Sequence, residues 1–133
     1  MRKKIKILEV EDEAITAFLL AKELSECGYE VASRVPTGEK AIVTAREFKP
    51  DIILMDIRLA GKIDGIDAAI RIKAESDIPV IFITGYEDRE MRERAVAIKP
   101  WGIFIKPVEI IELRKSIDAY FTKEVNAHGS FVQ

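Results

Sequence analysis

The sequence is poor in the residues that build covalent or transition-metal frameworks. Its single cysteine, Cys27, excludes an internal disulfide scaffold and any cysteine-built metal site, and makes the cytoplasm the default compartment. Its single histidine, His128, sits near the C-terminus and reads as incidental and not as a phosphate carrier. No apolar run approaches the roughly 18 residues of a membrane span. The basic start Met1-Arg2-Lys3-Lys4 leads into a short apolar run that ends in Glu9, Glu11, Asp12 and Glu13, so it is not read as a targeting segment. Neither sign of charge is in excess: 23 acids against 21 bases leave −2, which provides no basic footprint for direct nucleic-acid binding. The glycine-rich phosphate loops Gly-x-x-x-x-Gly-Lys and Gly-x-Gly-x-x-Gly are also missing.

What remains is an ordinary globular composition, 48% hydrophobic and 33% charged over 133 residues, enough for one domain with its own core. Five apolar runs predict strands: 5–10, 29–33, 51–55, 79–83 and 102–105. Three are almost continuously apolar, as strands buried on both faces are. Helical patterns separate and follow them. Asp12 is a candidate cap for the first, with Ala14, Phe18, Ala21 and Leu24 inward and Gly28 beyond its end. Thr37 can cap the second, which carries Ala41, Ala45 and Phe48; Asp64 precedes a third, with Ile66, Ala69 and Ile70 on one face. A polar fourth spans 88–97, with Glu90 and Arg94 spaced as an i,i+4 pair. The fifth follows Pro107, placed as a first helical residue, with Glu109 and Glu112 at the positive end of the dipole. Strand–helix alternation with right-handed crossovers predicts a doubly wound α/β fold, a five-stranded parallel sheet of order 2-1-3-4-5 with helices on both faces. Residues 1–124 form one domain, and 125–133, which lack periodicity, are expected to be a mobile tail.

In such a sheet, ligands bind beyond the carboxyl ends of the strands. The residues there are Glu11 and Asp12 after the first strand, Asp56 after the third, Thr84 after the fourth and Lys106 after the fifth. The second strand ends in Arg34, outside the pocket in this order. Two carboxylates about 5 Å apart repel by about 3 kcal/mol at an effective dielectric of about 20, so three in one place need protons or a cation. Oxygen donors without His or Cys favour Mg²⁺, and a carboxylate beside that metal can attack a phosphoryl group. Taken singly, Asp12 could be only a helix cap and Thr84 only a strand end. Lys99-Pro100 rivals Lys106-Pro107, but Lys99 precedes its strand and so lies at the opposite rim, as does Asp51.

Val10-Glu11-Asp12-Glu13, Leu54-Met55-Asp56-Ile57, Phe82-Ile83-Thr84-Gly85 and Ile105-Lys106-Pro107 together resemble the signature set of response-regulator receiver domains, in order, over residues 4 to about 124. The resemblance implies a flavodoxin-like fold and a two-component signalling switch. It implies Asp56 as phospho-acceptor and Mg²⁺ held by Asp12, Asp56 and the backbone carbonyl of Arg58, with Glu11 assisting. It implies Thr84 and Lys106 as phosphoryl-binding groups and a Lys106–Pro107 bond that is commonly cis. The implied partner is a sensor histidine kinase or histidine phosphotransfer protein, and a homodimer could form through helix 4, strand 5 and helix 5. On this basis the chain is not an enzyme beyond its own phosphoryl transfer and autodephosphorylation. An aspartyl phosphatase of the haloacid-dehalogenase type is disfavoured because Asp56-Ile57-Arg58 lacks a second Asp.

Two departures from the family pattern stand out. The loop after Asp56 has Ala60 where proline is commonest and is one residue longer, so its shape beside Arg58 should differ. The usual aromatic three residues before the lysine is Ile103, with Phe104 next. Either Phe104 substitutes in the switch, or output relies on shifts near residues 88–97. Arg58 and Tyr86, two residues beyond Asp56 and Thr84, are expected to line the pocket mouth and slow attack by water. Trp101 is expected to be structural.

Overall fold

A computed structural model describes residues 3–85 and 88–128, with side chains through Lys123. Tyr86 therefore lies outside the described residues. The elements alternate as β1 (Lys6–Val10), α1 (Ala14–Glu26), β2 (Glu30–Val35), α2 (Gly38–Phe48), β3 (Ile52–Met55), α3 (Gly65–Glu75), β4 (Val80–Thr84), α4 (Arg89–Ala97), β5 (Gly102–Ile105) and α5 (Ile110–His128). The five strands pair in parallel in the order β2-β1-β3-β4-β5, as the alternation requires.

Side-chain alternation divides the core cleanly in two. Leu8, Ile53, Val80 and Phe82 face one layer, built from α2, α3 and α4 through Ala41, Ala45, Ile66, Ala69, Ile72 and Ala95. Ile7, Ile52, Leu54, Ile81 and Ile83 face the other, built from α1 and α5 through Leu24, Leu113 and Ile117. Trp101 is structural as expected: its indole N–H donates to the Ser116 carbonyl at 2.8 Å, and its ring meets Tyr120 edge to face at 5.1 Å. These contacts clamp the start of β5 to α5.

Several local expectations change. α1 starts at Ala14, with Glu13 and not Asp12 at the N-cap position and no side-chain capping bond there; the Glu11 carboxylate accepts the Glu13 backbone N–H at 3.0 Å and holds the turn. Its inward face is Ala17 and Leu24, with Leu20 and Ala21 partly buried; Ala14 and Phe18 are exposed. In α3, packing against α2 turns Ala68 and Ile72 inward with Ile66 and Ala69, and leaves Ile70 about half exposed. β2 continues past Arg34 to Val35 through a register shift opposite Leu8–Val10, where Arg34 takes a left-handed φ of 66°. α5 begins at Ile110, not at Pro107, and runs to His128, so residues 125–128 are helical where a tail was expected.

The helix-capping expectations at Thr37 and Asp64 hold. Thr37 accepts from Lys40 N at 3.1 Å. Asp64 forms a reciprocal box with Asp67, accepting its N–H at 2.8 Å. Arg94 does not pair with Glu90 across one turn of α4; it reaches back to Asp64 at 2.9 Å and Asp67 at 3.2 Å, tying α4 to the start of α3. Asp64 is thus cap and ion-pair partner at once. Asp64→Ala is expected to lower unfolding stability by about 1–2 kcal/mol in urea titrations, the usual cost of a lost cap plus a weak surface pair.

Candidate functional site

The strand ends converge as the order 2-1-3-4-5 demands. Backbone bonds from Asp56 N to Val10 O at 3.0 Å and from Lys106 N to Thr84 O at 2.8 Å extend the sheet ladder into the rim. They fix the residues that follow β1, β3, β4 and β5 at one edge. Carboxylate oxygens of Glu11, Asp12 and Asp56 lie within 4.8 Å of one another there. Glu11 and Asp56 are buried, and Asp12, freed from helix capping, is exposed. The Lys106 ammonium sits between the two buried acids, 2.6 Å from Glu11 Oε1 and 2.9 Å from Asp56 Oδ2. The Lys106–Pro107 peptide is cis. Lys99 and Asp51 lie at the opposite edge; Asp51 accepts from Lys6 N at 2.8 Å.

Electrostatics follow from this packing. Burial pushes the Asp56 carboxyl above its ordinary range, the Lys106 hydrogen bond pulls it back, and the Glu11 charge raises it again. Burial works against the Lys106 ammonium, yet its hydrogen bonds to Asp56 and Glu11 outweigh that and raise its pKa. The donor set is all oxygen, hard and anionic, with one carboxylate open to solvent. That fits a divalent ion of the Mg²⁺ class, which takes one or two carboxylates and keeps water.

In the loop after Asp56, Arg58 N donates to Asp56 Oδ1 at 3.3 Å, while the Arg58 side chain is exposed. Ala60 bridges to Thr37, and Lys62 N donates to the Glu39 carboxylate at 3.0 Å, so the inserted stretch is pinned to the start of α2. Its return is held by Gly65, whose N–H donates to Ile57 O at 2.7 Å. A Cβ on Gly65 would collide with the Asp56 carbonyl oxygen, so only glycine allows α3 to start this close to the site.

Thr84 is buried and lines a small crevice with Met91, Ala95 and Ile103 under α4. Ile103 packs in the α4 layer, whereas Phe104 packs in the α5 layer. Phe104 cannot stand in for an aromatic at position 103, because consecutive strand residues face opposite sides of the sheet.

Sequence reasoning missed Glu9. Strand alternation puts it on the α1–α5 face beside Ile7, 2% exposed, and neither carboxylate oxygen has a hydrogen-bond partner among the described residues. The available signal was an acid interrupting the apolar run Ile7-Leu8-Glu9-Val10. Burial first, then the Glu11 charge, push its pKa up to about 8, against a weaker pull from Lys106. The native state thus keeps a proton that the unfolded chain, with an ordinary value of 4.5, releases. Unfolding between these values sheds the proton, so stability falls as pH rises through that window. Relative to wild type, Glu9→Gln is expected to gain stability from about pH 4.5 to about pH 8, by on the order of a few kcal/mol, and then level off. Urea midpoints across that range check it; parallel profiles for the two proteins would contradict it.

A sequence profile of the response regulator receiver domain matches residues 7–118. The chain is 34% identical over 113 residues to the transcriptional regulatory protein PdtaR of Mycobacterium tuberculosis, covering 85% of this chain and 55% of that protein. It is 32% identical over 117 residues to the probable transcriptional regulator ycf27 of Galdieria sulphuraria, covering 88% and 45%. The chain spans about half the length of these curated relatives. Among solved structures, the signal receiver domain of a modulated diguanylate cyclase from Desulfovibrio desulfuricans superposes with a TM-score of 0.85 at 37% identity, covering 91% of this chain and 96% of that one. The N-terminal domain of a response regulator/sensory box/GGDEF three-domain protein from Carboxydothermus hydrogenoformans gives 0.80 at 33% identity, covering 92% and 99%.

Proposed function

The chain belongs to the response regulator receiver domains of two-component signalling, whose switch is typically aspartate phosphorylation, and from that premise we propose that Asp56 is its phospho-acceptor. The observation that carries the assignment is the Lys106 ammonium held between Glu11 and Asp56, with the Asp12 carboxylate beside them. Glu11 shares the burial, the strand-end position and the contact with that cation, so Asp56 is chosen over it by its place in the receiver-like run Leu54-Met55-Asp56-Ile57.

Asp56 acts as the nucleophile: a carboxylate oxygen forms the new bond to phosphorus as the bond from phosphorus to the donor's imidazole nitrogen breaks, leaving an acyl phosphate. Asp12, Asp56 and the Arg58 carbonyl would hold Mg²⁺, with Glu11 assisting. Bound there, the ion would screen the carboxylates and neutralise charge on the transferring group. Lys106 exchanges its contact with Asp56 for the phosphoryl oxygens, and the Thr84 hydroxyl donates to one of them. The chain catalyses only this transfer and its own dephosphorylation, in which water attacks phosphorus, the bond to the Asp56 oxygen breaks and inorganic phosphate leaves.

The donor is a sensor histidine kinase or histidine phosphotransfer protein. An exposed apolar strip on α1, Ile15, Phe18 and Leu19, runs beside the rim and gives such a partner a surface to cover. The output face is α4-β5-α5, where Val96, Ile105 and Ile111 stand exposed, and it suits a downstream protein or a second copy. With Ile103 at the switch position, the signal travels through movement of Thr84 and the α4 layer, in which no aromatic flips at that site. Among the described residues no helix is long and apolar enough to cross a membrane.

With acetyl phosphate as small donor, Mg²⁺-dependent phosphorylation is expected by intact-protein mass spectrometry and is lost in Asp56→Asn; a modified Asp56→Asn protein would move the acceptor elsewhere. The exposed Arg58 side chain, two residues beyond Asp56, is proposed together with Tyr86, two residues beyond Thr84 in sequence, to crowd the mouth against water. Arg58→Ala is then expected to shorten the lifetime of the acyl phosphate, and an unchanged lifetime would dispose of that role.

A further inference from the structure

We infer that Glu39 is a positioning residue for the Mg²⁺ site: its carboxylate holds the backbone of Lys62, fixes the loop that carries the Arg58 carbonyl, and so sets how tightly the ion binds. This role rests on the reading of Asp12, Asp56 and the Arg58 carbonyl as the ligands. A backbone carbonyl is only as well placed as the loop behind it. From Arg58 to Lys62 that loop is exposed except at Leu59, which is partly buried. Without an anchor, binding of the ion would have to order it at an entropic cost.

Contacts with the start of α2 supply the anchor. Ala60 bridges in parallel to Thr37. Lys62 N donates to Glu39 Oε2 at 3.0 Å. Ile63 packs over Gly38, where a Cβ would lie 2.7 Å from Ile63 Cγ1. Between these points Gly61 takes a left-handed φ of 98° and passes so close to α2 that a Cβ on it would lie 2.7 Å from Glu39 Oε1 and 3.3 Å from Thr37 Cβ. The platform is itself held firmly: Thr37 caps α2 by accepting from Lys40 N at 3.1 Å, and Ala41, Ile42 and Ala45 are buried in the core. An acid in the first turn of α2 also suits the helix dipole, but that preference needs no contact outside the helix. Here the carboxylate reaches 23 residues along the sequence to the loop. Its own backbone N–H and that of Lys62 hold its pKa below the ordinary value. Glu39 is not one of the carboxylates that converge at the rim, so it acts on the site through the loop. Its bond to Lys62 can be removed by substitution while the core stays untouched, because the side chain is exposed.

The test measures Mg²⁺ affinity by calorimetry on the unphosphorylated full chain and follows Lys62 amide exchange by NMR. Glu39→Ala is expected to bind Mg²⁺ about three- to tenfold more weakly, the range of one lost hydrogen bond, and to speed Lys62 exchange. Glu39→Gln keeps an oxygen that can accept from Lys62 N, and is expected to stay within about twofold of wild type. Gly61→Ala, strained at a φ of 98° and pushed off Glu39, is expected to weaken the ion by a similar factor, and to add little on top of Glu39→Ala. Because coupling is reciprocal, Mg²⁺ should slow Lys62 exchange in wild type. Phosphorylation of Glu39→Ala by acetyl phosphate should be slow at limiting Mg²⁺ and reach the wild-type rate at saturating Mg²⁺. Wild-type Mg²⁺ affinity in Glu39→Ala would overturn the role. So would an equal loss in Glu39→Gln, which would make the effect one of charge and not of position. A wild-type chain that binds no Mg²⁺ would overturn the metal reading and this role with it, whereas binding that Glu39→Ala leaves unchanged sinks the role and spares the reading.

Discussion

Mutual repulsion among carboxylates at the carboxyl edge of the sheet is the constraint around which this receiver is arranged. Glu11, Asp12 and Asp56 are carried there by strands whose register is set by apolar packing, not by their own preference. Two of them are buried, so their charge is poorly screened. Lys106 reconciles them by delivering an ammonium from β5 between the buried pair. A buried acid left without such a partner would be costly, which makes the lysine a condition of the unphosphorylated fold as well as a phosphoryl-binding candidate.

The loop that follows Asp56 shows how little freedom this arrangement leaves. Its extra length is not left loose: Glu39 and Thr37 of the α2 start take up Lys62 and Ala60, and Gly65 brings α3 against the Asp56 carbonyl. Arg94 then ties the same α3 cap to α4. A change of charge at Asp56 is therefore one loop and one ion-pair cluster away from the α4 surface. This chain of packing and hydrogen bonds does not include the side chain at position 103.

The two faces of the sheet divide the chemistry. Thr84 and Ile103 look into the α4 layer, while Glu9 and Phe104 look into the α1–α5 layer. Thr84 lines the crevice under α4, and Glu9 lines a cavity beside α1 and the residues that lead into α5. One residue's shift in β1 or β5 would exchange these roles, because alternation along a strand has a period of two.

Alternating apolar runs and helical patterns by themselves determined the α/β class, the strand order and the rim at which Glu11, Asp12, Asp56, Thr84 and Lys106 gather, because parallel strands with right-handed crossovers leave few other arrangements. The caps at Thr37 and Asp64 were equally legible, since a cap is a contact between residues three apart. Tertiary packing decided what depends on partners distant in sequence. It rotated α1 and α3 about their axes, moved the α1 cap from Asp12 to Glu13, and drew Arg94 from Glu90 to Asp64 and Asp67. It also turned Glu9 into a buried carboxyl: the strand pattern places it inward, but only the positions of its neighbours show that no described residue hydrogen-bonds it.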